Sequence, residues 1–195
     1  MQVSGRKRGW TIAASVIAAV VLAVGLALFK PWLLFVDVRV DEQLPTVAAS
    51  AEPSQPPASK DPSPSTAPTE RAHTEAPARP VQLAQGTLIS HEHATTGTVR
   101  IIRQPDGTRL LTLENLDTSN GPDVHVWLSA ADVVEGTAGW FTAGSADYFD
   151  LGLMKGNQGN QVYAIPADVD LSKYRSVDLW CVQFSVSFGA AQLAT

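Results

Sequence analysis

One thiol and three histidines are the side chains of this sequence best suited to redox or ligand chemistry. Cys181 is the sole cysteine, so no disulfide can form within the chain. Its sulfur is left as a free thiol, half of an intermolecular disulfide, or a ligand. A reactive thiol needs a lowered pKa and some exposure, whereas a packed one behaves as a small, inert hydrophobe. An unpaired thiol is a liability in an oxidising compartment, which argues for a use. His91 and His93 stand two apart, so on a strand they face the same way. With His125 from another strand they could bind a metal or supply a haem axial ligand. The plainer reading is a pair of solvated histidines at a strand end. Asp147, Asp150, Asp168 and Asp170 do not have the spacing of a calcium loop and suit turn capping better. Neither a GxSxG elbow nor a glycine-rich phosphate loop occurs.

The thiol lies in Ser176–Leu193, SVDLWCVQFSVSFGAAQL. Read as one strand, its even positions from Trp180 to Phe188 form an apolar core stripe. The odd positions begin with Val177 and Leu179, turn polar at Gln183, Ser185 and Ser187, and place Cys181 at the change. Upstream, short apolar alternations separated by turn residues predict further strands. These are Thr87 to His93, Gly97 to Arg103, Arg109 to Leu116, a strand from Val124, and Gln161 to Ile165. Pro105-Asp106-Gly107 should close a hairpin, since Pro presets φ and Gly tolerates a positive one. Ala130 to Tyr148 reads as a loop or short helix over one end of the sheets. Asp150-Leu151-Gly152 and Lys155-Gly156-Asn157 read as turns, and Ala167 to Tyr174 as a polar or single helical turn. The expected fold is all-β, a β-sandwich or small Greek-key barrel of about seven or eight strands.

This domain, residues 81–195, follows three segments of different composition. A basic tail, 1–9, carries Arg6, Lys7 and Arg8. The uncharged run Thr11–Phe29 would span about 29 Å as a helix, close to the roughly 30 Å hydrocarbon core. Trp10 and Trp32 bracket it at interfacial positions. An uncleaved single-pass anchor over 10–32 is expected, since a signal peptide usually has a shorter apolar core. The basic flank places the N-terminus in the cytoplasm and the domain outside. Residues 33–80 read as a linker, with Leu33–Val40 a short interfacial segment at its start. Pro45–Pro80 holds 9 of the chain's 13 prolines among Ala, Ser and Thr. Such a composition cannot bury a core and is read as a disordered stalk, His73 included. From Leu83 onward 12 acidic residues oppose 6 basic ones, a charge of −6. That excess argues against nucleic acid as a partner.

The ending WCVQFSVSFGAAQL resembles the DM13 domain family through Trp180, Cys181, Phe184, Phe188, Gly189 and Ala191. Gly121-Pro122-Asp123 before a strand and the run from Asp150 to Pro166 fit as well, and the resemblance covers residues 83 to 193. It implies an all-β, extracytoplasmic domain of electron-transfer type, with Cys181 as the functional residue and haem or metal as possible cofactors. Two functions follow. One is a redox module using Cys181 with a membrane redox partner; the other is a non-catalytic module that binds an envelope component.

Overall fold

The computed structural model describes residues 4–46 and 79–195. The stretch from 47 to 78, including most of the predicted stalk and His73, lies outside the described residues. A single helix, α1 (Ser4–Phe29), opens the chain. Its window Ile12–Phe29 is long and apolar enough to cross a membrane, and none of it is buried against the rest of the molecule. A helix with apolar side chains such as Ile17, Val21 and Leu22 exposed is compatible with a single-pass membrane anchor. Pro31 stops it, because a proline neither donates to the ladder nor tolerates a helical residue before it. Lys30 accordingly turns left-handed at φ 41°, and a 3-10 turn, Pro31–Phe35, follows.

The remainder is all-β, as expected. Nine strands form one curled sheet: β1 (Arg39–Asp41), β2 (Val81–Ser90), β3 (Thr96–Arg103), β4 (Arg109–Asp117), β5 (Val124–Ser129), β6 (Tyr148–Leu153), β7 (Gln158–Ile165), β8 (Ser176–Cys181) and β9 (Val186–Gln192). Their order is β1-β7-β4-β3-β2-β9-β8-β5-β6. The long β2 is the pivot: Val81–Thr87 pairs with β3, and Leu88–Ser90 pairs with β9. The sheet therefore curls into a half-barrel about a core that includes Val99, Leu111, Leu113, Val126, Leu128 and Leu179. The β3–β4 hairpin and the inward Val124, Val126 and Leu128 agree with the sequence reading.

The strand count exceeds the expected seven or eight for three reasons. Tyr148–Leu153, read as loop and turn, is a strand against β5. The final stretch is two antiparallel strands, β8 and β9, joined by Val182–Ser185, with Ser185 at φ 53°. A further strand, β1, lies inside the stretch assigned to the linker and runs parallel to β7.

The docking of β1 is specific. Asn157, fully buried, accepts from Val38 N–H at 2.7 Å and donates to Asp37 Oδ1 and to the Thr118 carbonyl, each at 2.8 Å. Glu42 accepts from Lys155 Nζ at 2.8 Å and from Val162 N–H at 2.6 Å, and these bonds hold its pKa below the usual carboxylate range. Gly159, at φ +96°, lies where a Cβ would run into the Val40 carbonyl, so this approach requires glycine. Beyond β1, Gln43–Thr46 stay on the domain beside Leu110 and Val162. The described chain on either side of residues 47–78 thus sits on one sheet, and the helix is tied to the domain ahead of that stretch. That tie is Lys30–Val38, at most about 33 Å when extended.

Cleavage at a protease site inserted between residues 47 and 78 is expected to leave the helix-bearing fragment copurifying with the domain. Separation of the two fragments on a sizing column would contradict this docking. Asn157→Ala, which orphans Val38 N–H and the Thr118 carbonyl, should cost about 2–4 kcal/mol in chemical denaturation.

Candidate functional site

Cys181 closes the β8–β9 turn opposite Val186 and is paired on its other side with Val124. Its side chain faces the core with Val177 and Leu179, at 0% exposure. The sequence reading made the even positions the core face throughout. That holds for Val186 and Phe188, but in β8 the odd positions point inward, because the four-residue turn shifts the parity between the strands. Val182 and Phe184, expected in the core stripe, are turn residues 41% and 43% exposed. The backbone amides of Phe184, Gln183 and Asp123 are directed at the sulfur and favour its thiolate, but burial outweighs them and raises the thiol's pKa.

The same turn meets the end of α1. Gln183 Nε2 donates to the Leu28 carbonyl at 2.7 Å, one of the carbonyls a helix end leaves unpaired. Phe184 stacks on Phe29 with centroids 5.8 Å apart. Between turn, helix exit and domain lies a cavity of about 490 Å³ with walls that include Phe29, Trp140, Phe141, Phe184, Val186 and Phe188. Lys30, Glu92, His93 and Asn120 bring polar groups to it. The thiol lies behind this wall, since Val186 and Cys181 are directly opposed and cross-strand partners share a face.

The three histidines are not brought together. β2 ends at Ser90, so the expected strand over His91 and His93 is replaced by a bend, and the pair does not share a strand face. His93 lines the cavity with its ring 3.9 Å from that of Phe188, and its Nε2 is 2.7 Å from Glu92 Oε2. His91 is buried on the other side of the sheet: Nε2 donates to the Val134 carbonyl at 3.1 Å, leaving Nδ1 to accept from Ser187 Oγ at 2.7 Å. His125 sits with its ring nitrogens 2.8 Å from Asp150 and 3.2 Å from Asp123. Among the described residues no three His, Cys, Asp or Glu side chains form a group able to hold a metal ion. A haem fits these residues poorly as well. The Cys181 sulfur faces a filled core, and a macrocycle could reach it only by displacing Val186 or the turn.

The outer face of β5, β8 and β9 carries groups that the sequence reading passed over. The loop Ala130–Asp147 covers it, with Gly144 seated against the Trp180 ring where a Cβ would clash. Trp127 stacks on Trp180 at 5.1 Å and on Tyr148 at 3.7 Å. Asp178, directly opposite Trp127, is almost fully buried. Burial pushes its pKa up to about 7, against the opposing hydrogen bond to Ser187. With Asp178 protonated, each donor has an acceptor along Asp178, Ser187, His91 and the Val134 carbonyl. Asp178 Oδ1 and Trp127 Nε1 alone are left without partners on this face. The available signal was an aspartate in the middle of an apolar strand, SVDLWC.

The fold and this site define an all-β domain with a sealed single thiol, docked against the exit of an apolar helix. The family model described as Electron transfer DM13 matches residues 87–193. That is more than half of the chain, and the protein belongs to the DM13 family. No curated protein matches the sequence, and no solved structure matches it.

Two outcomes follow from the burial. Because the folded-state pKa of Asp178 lies above its unfolded value, its stabilising contribution is present at low pH and is lost as pH rises from about 4 through about 7. Thermal unfolding from pH 4 to 8 should show this decline, and Asp178→Asn should flatten it; an equal decline in the variant would refute the assignment. Cys181 should react with a bulky maleimide at least about a hundredfold more slowly in the native protein than in denaturant, since access controls thiol reactivity. Equal rates would show an open thiol.

Proposed function

We propose that this protein is a membrane-tethered electron-transfer module. Helix α1 is its anchor, and the basic residues in its first turns, Arg6, Lys7 and Arg8, keep the N-terminus cytoplasmic and the DM13 domain outside. Cys181 is its redox-active sulfur: the thiol would give one electron to an oxidised redox component of the same membrane and its proton to water, and the thiyl would recover both on reduction. The observation that carries this reading is the position of the family's thiol, directly beneath the turn that touches the helix exit. Electrons reaching the membrane surface would meet the sulfur across one layer of side chains. Thiol–disulfide exchange is disfavoured, because it needs a thiolate free to attack another sulfur, and this one is buried with a raised pKa. No metal or haem enters the scheme, given the poor fit of the residues around Cys181.

A second reading, a non-catalytic binding module for an envelope component, is favoured by the aromatic-walled cavity. It needs no chemistry at the sulfur.

The two are separated by voltammetry of the full chain in a lipid film, purified from membranes with whatever it retains. The electron-transfer reading expects a reversible wave that is lost in Cys181→Ser. A wave that survives the substitution would remove Cys181 from the path, and no wave in either protein would leave the binding module.

A further inference from the structure

We infer that the cavity at the helix exit binds the head-group ring of a membrane-soluble quinone, an inference that rests on the electron-transfer reading and on α1 as anchor. The position of the cavity favours this ligand. Phe29, Lys30, Pro31 and Leu33, the residues that leave the helix, build one wall. With α1 in a bilayer, that wall stands at the boundary between hydrocarbon and water, so a lipid-soluble ligand enters without crossing water. So does its shape. Phe29 and Phe184 are nearly parallel, at 10°, and Trp140 and Phe141 complete an aromatic enclosure. Flat π faces favour a planar ring in offset-stacked or edge-on contact. The volume, about 490 Å³, falls in the range of about 300–1,000 Å³ usual for small-molecule sites.

Its polarity favours the same ligand. An alkyl chain would leave the polar groups of Lys30 and His93 facing hydrocarbon, at a cost. A quinone presents two carbonyl oxygens that accept from an ammonium or amide N–H, and its quinol presents two hydroxyls that donate. Lys30 supplies donors, and Asn120 has one amide N–H beyond the bond from Nδ2 to the Val36 carbonyl at 3.2 Å. His93 can serve either form: Nε2 is held by Glu92, and Nδ1, without a partner among the described residues, accepts when the ring is neutral and donates when it is protonated. Glu92 thereby sets which ring nitrogen is presented and is a positioning residue. Val186, on the cavity wall, is the cross-strand partner of Cys181.

The test uses the full chain in lipid nanodiscs and a benzoquinone bearing one isoprene unit as probe, read by quenching of tryptophan fluorescence, with Trp140→Phe identifying the reporter. Saturable quenching is expected, carried mainly by Trp140 and weakened at least about tenfold in both Phe184→Ala and His93→Ala. Phe184 is partly exposed in a turn, so its truncation should leave the fold intact, and circular dichroism checks this; His93→Ala decides the matter if it does not. An isoprenoid alcohol of the same tail length should not displace the quinone. Non-saturable quenching, equal affinity in the variants, or displacement by the alcohol would each overturn the inference, the last by making the cavity an alkyl-chain site. A voltammetric wave without quinone binding would sink this inference alone. Binding without a wave would sink the electron-transfer reading and keep the site.

Discussion

A buried asparagine ties the chain leaving the helix to the body of the sheet, and the arrangement of the candidate site depends on that tie. Asn157 satisfies Val38, Asp37 and Thr118 at once, in a place where an unpaired amide would carry its full desolvation cost. Glu42 and Lys155 extend the contact; that exposed pair is worth little alone and serves mainly to fix the register of β1. The consequence is topological. A chain that docks before its proline-rich segment cannot use that segment as a tether. The domain is held within a few residues of the helix end, and Gln183 and Phe184 can then meet Leu28 and Phe29.

The two faces of β8 divide the work. Its inner residues Val177, Leu179 and Cys181 join the main core, while Asp178 and Trp180 point to the loop-covered outer face. A strand buried on both sides ordinarily carries apolar residues alone. Here the outer side carries a carboxyl, a hydroxyl and an imidazole whose bonds are matched when the carboxyl is protonated. The raised pKa of Asp178 is the cost of that placement, and the matched chain offsets part of it. Two residues further on, Trp180 and then Cys181 link the outer aromatic stack to the thiol through the backbone of one strand.

How much of this was legible follows from the range of each signal. The β3–β4 hairpin was readable because Pro105-Asp106-Gly107 encodes its turn locally and both strands alternate cleanly. Helix α1 was readable from length and uncharged composition. The β8–β9 turn was not, since Val182-Gln183-Phe184-Ser185 has no Gly or Pro and continues an apolar period of two. Only a positive φ at Ser185, imposed by the closing pair, reveals it. β1 has three residues, too few for periodicity, and its docking depends on glycines and an asparagine more than a hundred positions away. Cys181 was singled out by its uniqueness and by the DM13 resemblance, and nothing local encodes its burial. The cavity draws its walls from the helix exit, the bend after β2, the loop before β6 and the β8–β9 turn, segments that only the tertiary fold assembles.

That sealed thiol constrains the chemistry more tightly than an exposed one would. Reactions that transfer a group to or from sulfur need a partner atom in line with it, and the packed core supplies no room. Electron exchange needs only proximity through well-packed matter, which the Val186 wall and the stacked rings provide. A proton is harder to move, and burial already disfavours the thiolate. An electron taken from the thiol would carry its proton away with it, since an oxidised S–H is strongly acidic, and His93 and Glu92 on the cavity wall are groups that can take a proton. The turn Val182–Ser185 joins the strand of the thiol to the cavity wall at Val186, and its aromatic residue is also the contact to the helix.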